Sequence, residues 1–434
     1  MIERIDISNF KSYKKASLPL APLTVLIGAN ASGKSNALEA IRFLSWLAQG
    51  QKLSSLQYQV NNSQKVVRGR IKDLPRLGED HFSLGCKINS AFNFTLNVGI
   101  RLRKDEDLYI SEEKVQRDDG VILYESLPPS DVLPDKDLTI EYNSFSRGGR
   151  KPQIAFSDQL AIFTQLVTII PSIKQKKARE TLSLASEAFE KSLSPILLLD
   201  PNPASMREYS FLSEDELMGD GSNLSSVLYL LWNDPEKQDY NRKSILNFIS
   251  SLPEQDIKSL DFLRGPREEV LISLTETFGG KETTFDASLL SDGTLRVLAI
   301  VAALLSAPPN SLVVFEEIGN GIHPSRATQI LAEVDRIARD KGLSILISTH
   351  NPALLDSLPV SAIKDVVFCF RSKEDGGSKL INLEEIQDYP ELIGQGSLGE
   401  ILAKGLIEKY VKFLQDPEIK KEEGLRWLES FKNG

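Results

Sequence analysis

Leu290-Ser291-Asp292-Gly293-Thr294-Leu295-Arg296, Ser311-Leu312-Val313-Val314-Phe315-Glu316-Glu317 and Leu343-Ser344-Ile345-Leu346-Ile347-Ser348-Thr349-His350-Asn351 follow one another in the chain, and their reading decides the fold. The first is a polar turn that opens a wholly apolar helix from Val297 to Leu305. The second is an apolar run too short for a helix, and it ends in two carboxylates. It reads as a buried parallel strand that delivers its acids to the C-terminal edge of a sheet, where open α/β sheets bind ligands. The third is another such strand. Between them lies Pro324 to Lys341, with Pro at a first-turn position, apolar Ile330, Leu331, Val334, Ile337 and Ala338, and Gly342 as terminator. That is a crossover helix, so the unit is β-α-β and the class is α/β.

Carboxylates at that edge call for a phosphate-binding partner, and one stands near the other end of the chain. Thr24-Val25-Leu26-Ile27 is a short apolar strand, followed by Gly28-Ala29-Asn30-Ala31-Ser32-Gly33-Lys34-Ser35 and an amphipathic helix from Asn36 to Leu47. A Gly-x-x-x-x-Gly-Lys-Ser run in this strand-loop-helix setting is a P-loop. Its glycines let backbone amides close around an anion, and the helix N-terminus adds positive potential. Lys34 contributes a mobile charge and Ser35 an oxygen for magnesium. Nucleotide binding follows.

Composition bounds the rest. The 434 residues suffice for two or three domains, and 41% hydrophobic with 26% charged residues is ordinary for a globular protein. No apolar run is long enough to span a bilayer, and Met1-Ile2-Glu3-Arg4 opens neither a signal sequence nor a transit peptide, so a cytoplasmic protein without a membrane partner is expected. Cys86 and Cys369 are far apart and outside metal-type spacing, and read as small buried side chains. A net charge of -9 argues against indiscriminate nucleic-acid binding, while leaving room for a local basic groove formed on assembly.

Ile2 to Phe10 alternates as a strand, with Asn9 to Tyr13 as its turn. From Lys65 to about Ile140 short alternating runs predict an antiparallel sheet: Val66 to Ile71, Phe82 to Ile88, Phe92 to Arg101, Leu108 to Val115 and Val121 to Tyr124. Between Phe156 and Leu197 the period turns helical, and Ile196 to Pro201 is another buried strand or edge. Helices follow at Leu224 to Trp232 and Arg242 to Leu252, then a hairpin around Asp375-Gly376-Gly377 and two tail helices, Leu398 to Leu414 and Glu418 to Phe431. The expected organisation has a first half of a nucleotide-binding head at 1–150, an inserted helical lobe at 151–275, the second half at 276–370 and a C-terminal hairpin with helices at 371–434.

Ile7-Ser8-Asn9-Phe10-Lys11-Ser12-Tyr13 followed by the P-loop resembles the opening of the SMC, RecF and OLD group of ABC-type ATPases, with Ala31 where that group usually has a second glycine. Leu290 to Thr294 is similar to the ABC signature, with Asp292 and Thr294 in place of the transporter Gly and Gln. Glu316-Glu317, Gly321-Ile322-His323-Pro324 and Ser348 to Pro352 resemble the Walker B, D-loop and switch regions of small armless ATPases related to OLD and RecF, several of which act in bacterial defence against phage. The helix from Ile173 to Lys191 is too short for the coiled-coil arm of an SMC protein.

This resemblance implies a P-loop head of ABC/SMC type, with a mixed central sheet, a flanking antiparallel sheet and an inserted helical lobe. It implies ATP and Mg²⁺ as ligands. Lys34 and the loop amides hold the β- and γ-phosphates, Ser35 and Glu316 take the metal, Glu317 orients and deprotonates the attacking water, and His350 contacts the γ-phosphate. Ser291 and Gly293 serve the nucleotide of an opposing subunit, so two heads sandwich two ATP molecules. Glu316 stands where Asp is usual, which slows turnover if the extra methylene shifts the metal. Gln51, Gln57, Gln59 and Gln64 all stand as candidates for the glutamine of the magnesium shell.

Three functions compete. The first is an ATP hydrolase whose dimerised heads gate a separately encoded nuclease or toxin, since no Asp-x-Asp element of a fused Toprim nuclease follows His350. The second is a slow or non-hydrolysing ATP-dependent clamp on DNA, akin to RecF. The third, the energising subunit of a transporter, is disfavoured by the variant signature and the RecF-like opening.

Overall fold

The computed structural model describes residues 1–56, 66–90, 92–103, 107–128, 137–146, 148, 150–250, 257–278, 280–319, 324–386 and 388–412. The expected second tail helix, the D-loop at 321–323 and residues 91, 104–106 and 129–136 between the strands of the antiparallel sheet lie outside them.

One continuous 14-stranded sheet runs through the molecule. At one end Leu197–Leu199, Leu312–Phe315, Ser344–Thr349, Leu23–Ile27 and Val366–Arg371 lie side by side and parallel. These strands read as unbroken apolar runs because both faces are covered. Val25, Ile27, Val313, Phe315, Ile345 and Ile347 enter one core, while Leu26, Leu312, Val314 and Leu346 enter the other. The helices Asp292–Ser306 and Pro324–Lys341 belong to the first core and the P-loop helix Lys34–Ala48 to the second. Lys341 Nζ donates to the last-turn carbonyls of Leu304 and Leu305 at 3.0 and 2.6 Å, a cation at the negative end of the helix dipole.

Val366–Arg371 turns back into Ser378–Asn382, and a single pair, Ser378 with Tyr13, joins this hairpin to the strand Tyr13–Pro19. From there the sheet is antiparallel through Ile2–Phe10, His81–Ile88, Phe94–Leu102, Leu108–Arg117, Ile122–Ser126, Asp137–Tyr142 and Gln153–Ser157. The flanking sheet expected from the alternating runs is therefore an extension of the central one. Phe43 of the P-loop helix contacts Phe82 at 5.9 Å and Trp46 at 5.7 Å, and Phe10 contacts Phe82 at 5.3 Å, which fixes that helix on the sheet.

Two expectations are corrected. Val66 to Ile71 is no strand: residues 66–69 bend, and Ile71–Asp73 is a 3-10 turn. Its backbone bonds go to side chains, with Arg68 N–H on the Glu39 carboxylate and Arg70 N–H on Asp73 at 3.1 Å, so the alternation pairs with no neighbour. The first tail helix is broken into Leu398–Ala403 and Leu406–Lys412 by Gly405 at φ 65°. The region 151–275 holds the expected helices but shares them between the two cores. Ile162–Ile169 and Lys176–Leu193 join the antiparallel side, whereas Leu224–Trp232 and Gln238–Ser250 join the signature helix. A second sheet, Ser210–Phe211, Ile257–Arg264, Glu269–Phe278 and Lys281–Asp286, adds to the latter. Its central strand carries no alternation to mark it, because Val270 to Leu274 are buried in succession.

Glu113 pins the first helix pair to the antiparallel sheet. Fully buried, its carboxylate accepts from the Ile162 and Phe163 amides at 2.7 and 2.9 Å, the uncapped start of Ile162–Ile169, and from Tyr124 OH at 2.6 Å. Burial pushes this carboxyl up to about 7 despite the three donors. A carboxyl raised in the fold binds a proton there that the unfolded chain has lost, so its contribution to stability falls as pH rises from the ordinary carboxylate range towards neutrality. Thermal unfolding of Glu113→Gln and wild type should therefore diverge in favour of the variant between about pH 5 and about pH 7. A difference independent of pH would remove Glu113 as the titrating group.

Candidate nucleotide-binding site

The register of the parallel strands assembles the site. Phe315 pairs with Ile347 and Thr349 with Ile27, so Glu316, His350 and Gly28 all step off the same edge. Glu316 N–H donates to the Leu199 carbonyl at 2.9 Å, continuing the ladder by one residue and fixing where the carboxylate emerges. Asp200, unassigned in the sequence, follows Leu199 onto the same edge. Its side chain reaches solvent, yet partial desolvation raises its carboxyl, against the pull of Arg42, Arg296 and Arg68.

Gly28 and Gly33 adopt φ 150° and 124°. A Cβ on Gly28 would sit 2.2 Å from the Cys369 carbonyl oxygen, and one on Gly33 2.3 Å from Ser378 Oγ, so the loop is cradled where only glycine fits. Ala31 is left-handed at φ 62°, a conformation that costs a residue with a Cβ about 1–2 kcal/mol. The substitution noted in the sequence thus carries strain. Lys34 is buried, with Nζ 2.7 and 3.3 Å from the Gly28 and Ala29 carbonyls across the mouth of the loop. Lys34 and Ser35 open a helix of 15 residues, whose first amides have no intrahelical acceptor. Asn36 instead turns its side chain back, donating to Ser12 Oγ at 2.8 Å.

Ser35 Oγ donates to Glu316 Oε1 at 2.9 Å, so the longer acid reaches the hydroxyl as Asp would have been expected to do. A hydroxyl and a carboxylate in this contact are hard oxygen donors that fit magnesium. Glu317 is left-handed at φ 52°, with its amide held by Ser348 Oγ at 3.1 Å, and its carboxylate lies 2.7 Å from His350 Nδ1. A strained backbone that aims one carboxylate at one imidazole is the kind of outlier that functional sites retain.

Ser291 caps its helix by accepting from Thr294 N–H at 3.1 Å, and Arg207 braces the turn from the side, donating to the Leu290 carbonyl at 3.0 Å and to Asp292 at 2.6 Å. Ser291 and Asp292 are exposed, as is Leu289 at 69%. Among the described residues no hydrogen bond joins Ser291 or Gly293 to residues 28–36 of the same chain. Gln51 is exposed just past the P-loop helix, while Gln57, Gln59, Gln64 and His323 lie outside the described residues. Neither Arg207 nor Asp200 carries a local signal, because their partners are remote in the chain.

A P-loop on a parallel sheet edge, two acids on the adjoining strand and a capped signature turn define an ATPase head of the ABC type, of the kind shared by SMC and RecF proteins. The chain belongs to the family described as "AAA domain, putative AbiEii toxin, Type IV TA system", whose model matches residues 23–356. It is 22% identical over 307 residues to the DNA replication and repair protein RecF of Cutibacterium acnes, covering 63% of this chain and 75% of that one. Shorter matches are 40% identical over 75 residues to structural maintenance of chromosomes protein 1 of Arabidopsis thaliana, 16% of this chain and 6% of that one, and 49% over 45 residues to RecF of Streptococcus thermophilus, 10% and 12%. The solved structure of an Smc head bound to the C-winged helix domain of ScpA aligns with a TM-score of 0.47 at 14% identity, over 88% of this chain and 96% of that one.

Replacing Gly28 with Ala should cost roughly 1–3 kcal/mol of stability and abolish ATP binding, because the new methyl collides with backbone. Thermal unfolding and nucleotide titration measure both, and a variant that binds ATP normally would show that the cradle is looser than described.

Proposed function

We propose that this ATPase works as a pair of heads closed around ATP and that closure gates a separately encoded effector, a nuclease or toxin. The observation that carries the reading is the convergence of Ser35, Glu316, Glu317 and His350 on one sheet edge while the signature turn, braced by Arg207, faces outward. An exposed helix N-terminus suits a phosphate held by another copy. Within this reading Lys34 and the loop amides between Gly28 and Ser35 that are not spent inside the loop bind the phosphates, and Asn36, its amide on Gly33 O at 2.9 Å, holds the start of the helix against Ser12. Ser35 and Glu316 would hold magnesium, which when bound would neutralise phosphate charge. Glu317 takes the proton of the attacking water, His350 keeps its carboxylate oriented, and Ser291 and Gly293 complete the partner's site.

The head is then built from residues 1–150 and 276–370, with 151–275 inserted and 371–434 appended. A cytoplasmic setting agrees with the absence, among the described residues, of a helix long and apolar enough to cross a membrane. The anti-phage role rests on the likeness of the motifs to defence ATPases. A second reading, a DNA clamp with slow turnover, is favoured by the match to RecF over 75% of that protein's length. It would show as ATP-dependent DNA affinity that falls steeply with salt.

ATP hydrolysis per subunit should rise with protein concentration as heads pair, and Glu317→Gln should lower it at least about 100-fold while leaving ATP bound. Activity that is flat with concentration and unchanged in the variant would overturn the shared site and move the clamp ahead.

A further inference from the structure

Three consecutive carbonyls of the P-loop are held from outside the loop. Arg371 Nε donates to Ala31 O at 3.1 Å, Ser378 Oγ to Ser32 O at 2.5 Å, and Tyr13 OH to Gly33 O at 3.1 Å. In a planar trans peptide the N–H points opposite to the C=O, so pulling these oxygens one way aims the amides of Ser32, Gly33 and Lys34 the other. The Ser32 amide is spent on Ala29 O at 3.2 Å. The Gly33 and Lys34 amides are left pointing to the side where an anion is cradled.

Two of the three donors belong to one hairpin far along the chain. Arg371 ends Val366–Arg371 and Ser378 begins Ser378–Asn382. The hairpin is rigid at this point. Ser372 N–H bonds Gly377 O at 2.8 Å, Arg371 Nη1 donates to Gly376 O at 2.8 Å, and Asp375 pairs with Arg76 at 3.2 Å. Ser378 is buried, its amide on Ser12 O at 2.8 Å and its hydroxyl 2.7 Å from Ser12 Oγ. The carbonyl taken by Arg371 is that of Ala31, the residue strained into the left-handed region.

We infer that Arg371 and Ser378 are positioning residues for ATP binding: the hairpin holds the P-loop in its anion-binding shape, and Arg371 offsets the strain of alanine at position 31. The inference rests on the P-loop being the ATP site. Without Arg371 the Ala31 peptide relaxes and the amides lose their aim; with glycine at 31 the same conformation needs no help.

The test is calorimetric titration of the 434-residue chain with Mg·ATP, for wild type, Lys34→Ala, Arg371→Ala, Ser378→Ala and Arg371→Ala combined with Ala31→Gly, each checked by thermal unfolding. Arg371→Ala should bind about tenfold more weakly, which is about 1.4 kcal/mol, and the added Ala31→Gly should bring affinity back to within about threefold of wild type. The loss should appear in KM, with kcat at saturating ATP within about twofold of wild type. If Arg371→Ala fails to fold, Ser378→Ala carries the same expectation of weaker binding. Unchanged affinity in the folded variants, with Lys34→Ala failing to bind, would overturn the positioning role of the hairpin alone, whereas a wild type that binds no ATP would overturn the nucleotide reading beneath it. Weaker binding that Ala31→Gly does not recover would mean that Arg371 touches the nucleotide itself, and that too would overturn the inference.

Discussion

Parallel pairing of Leu23–Ile27, Leu312–Phe315 and Ser344–Thr349 is the constraint on which everything else in this protein depends. Each strand is buried on both faces, so a one-residue slip would exchange its residues between two differently shaped cores. The pairing is therefore fixed by packing, and it delivers Gly28, Glu316 and His350 to one edge in one register. The chemistry of the site is a consequence of where apolar runs stop.

At that edge the backbone leaves its comfortable conformations. Ala31 and Glu317 are both left-handed without being glycine, and each is held by a bond from a remote part of the chain, Ala31 O by Arg371 and the Glu317 amide by Ser348. Strain of this sort persists only when neighbours over-determine the geometry. Next to it sits a buried ion pair, Lys11 with Glu39 at 2.5 Å, in which Glu39 also takes the Arg68 amide. That pair ties the turn after the first strand, the P-loop helix and the segment from Val66 onward to one carboxylate. Replacing either partner alone would leave a charge with little water, so its value lies in fixing three segments together more than in net stability.

The same logic explains why an antiparallel sheet and a parallel one are joined. A hairpin that must reach the underside of the P-loop ends with Ser378 beside Tyr13, and the bond between those strands makes one sheet of two. Glu113, Phe10, Phe43 and Phe82 then anchor the antiparallel side to the helices it supports.

What the amino-acid order determined by itself was local. The P-loop residues Gly28 to Ser35, the acids Glu316 and Glu317, the crossover helix Pro324–Lys341 and the helix Leu224–Trp232 were legible because periodicity, glycine placement and capping act over a few residues. The antiparallel strands were legible wherever polar and apolar residues alternated, and the same signal misled at Val66 to Ile71, where Glu39 and Asp73 took the Arg68 and Arg70 amides that a neighbouring strand would have needed. Tertiary structure alone decided that Asp200 joins Glu316, that Arg207 braces Asp292, that the insertion divides between two cores, and that Arg371 and Ser378 grip the P-loop. The physical reason is distance along the chain: a hydrogen bond between residues 31 and 371 has no local pattern, because its geometry exists only once packing has brought the two strands together.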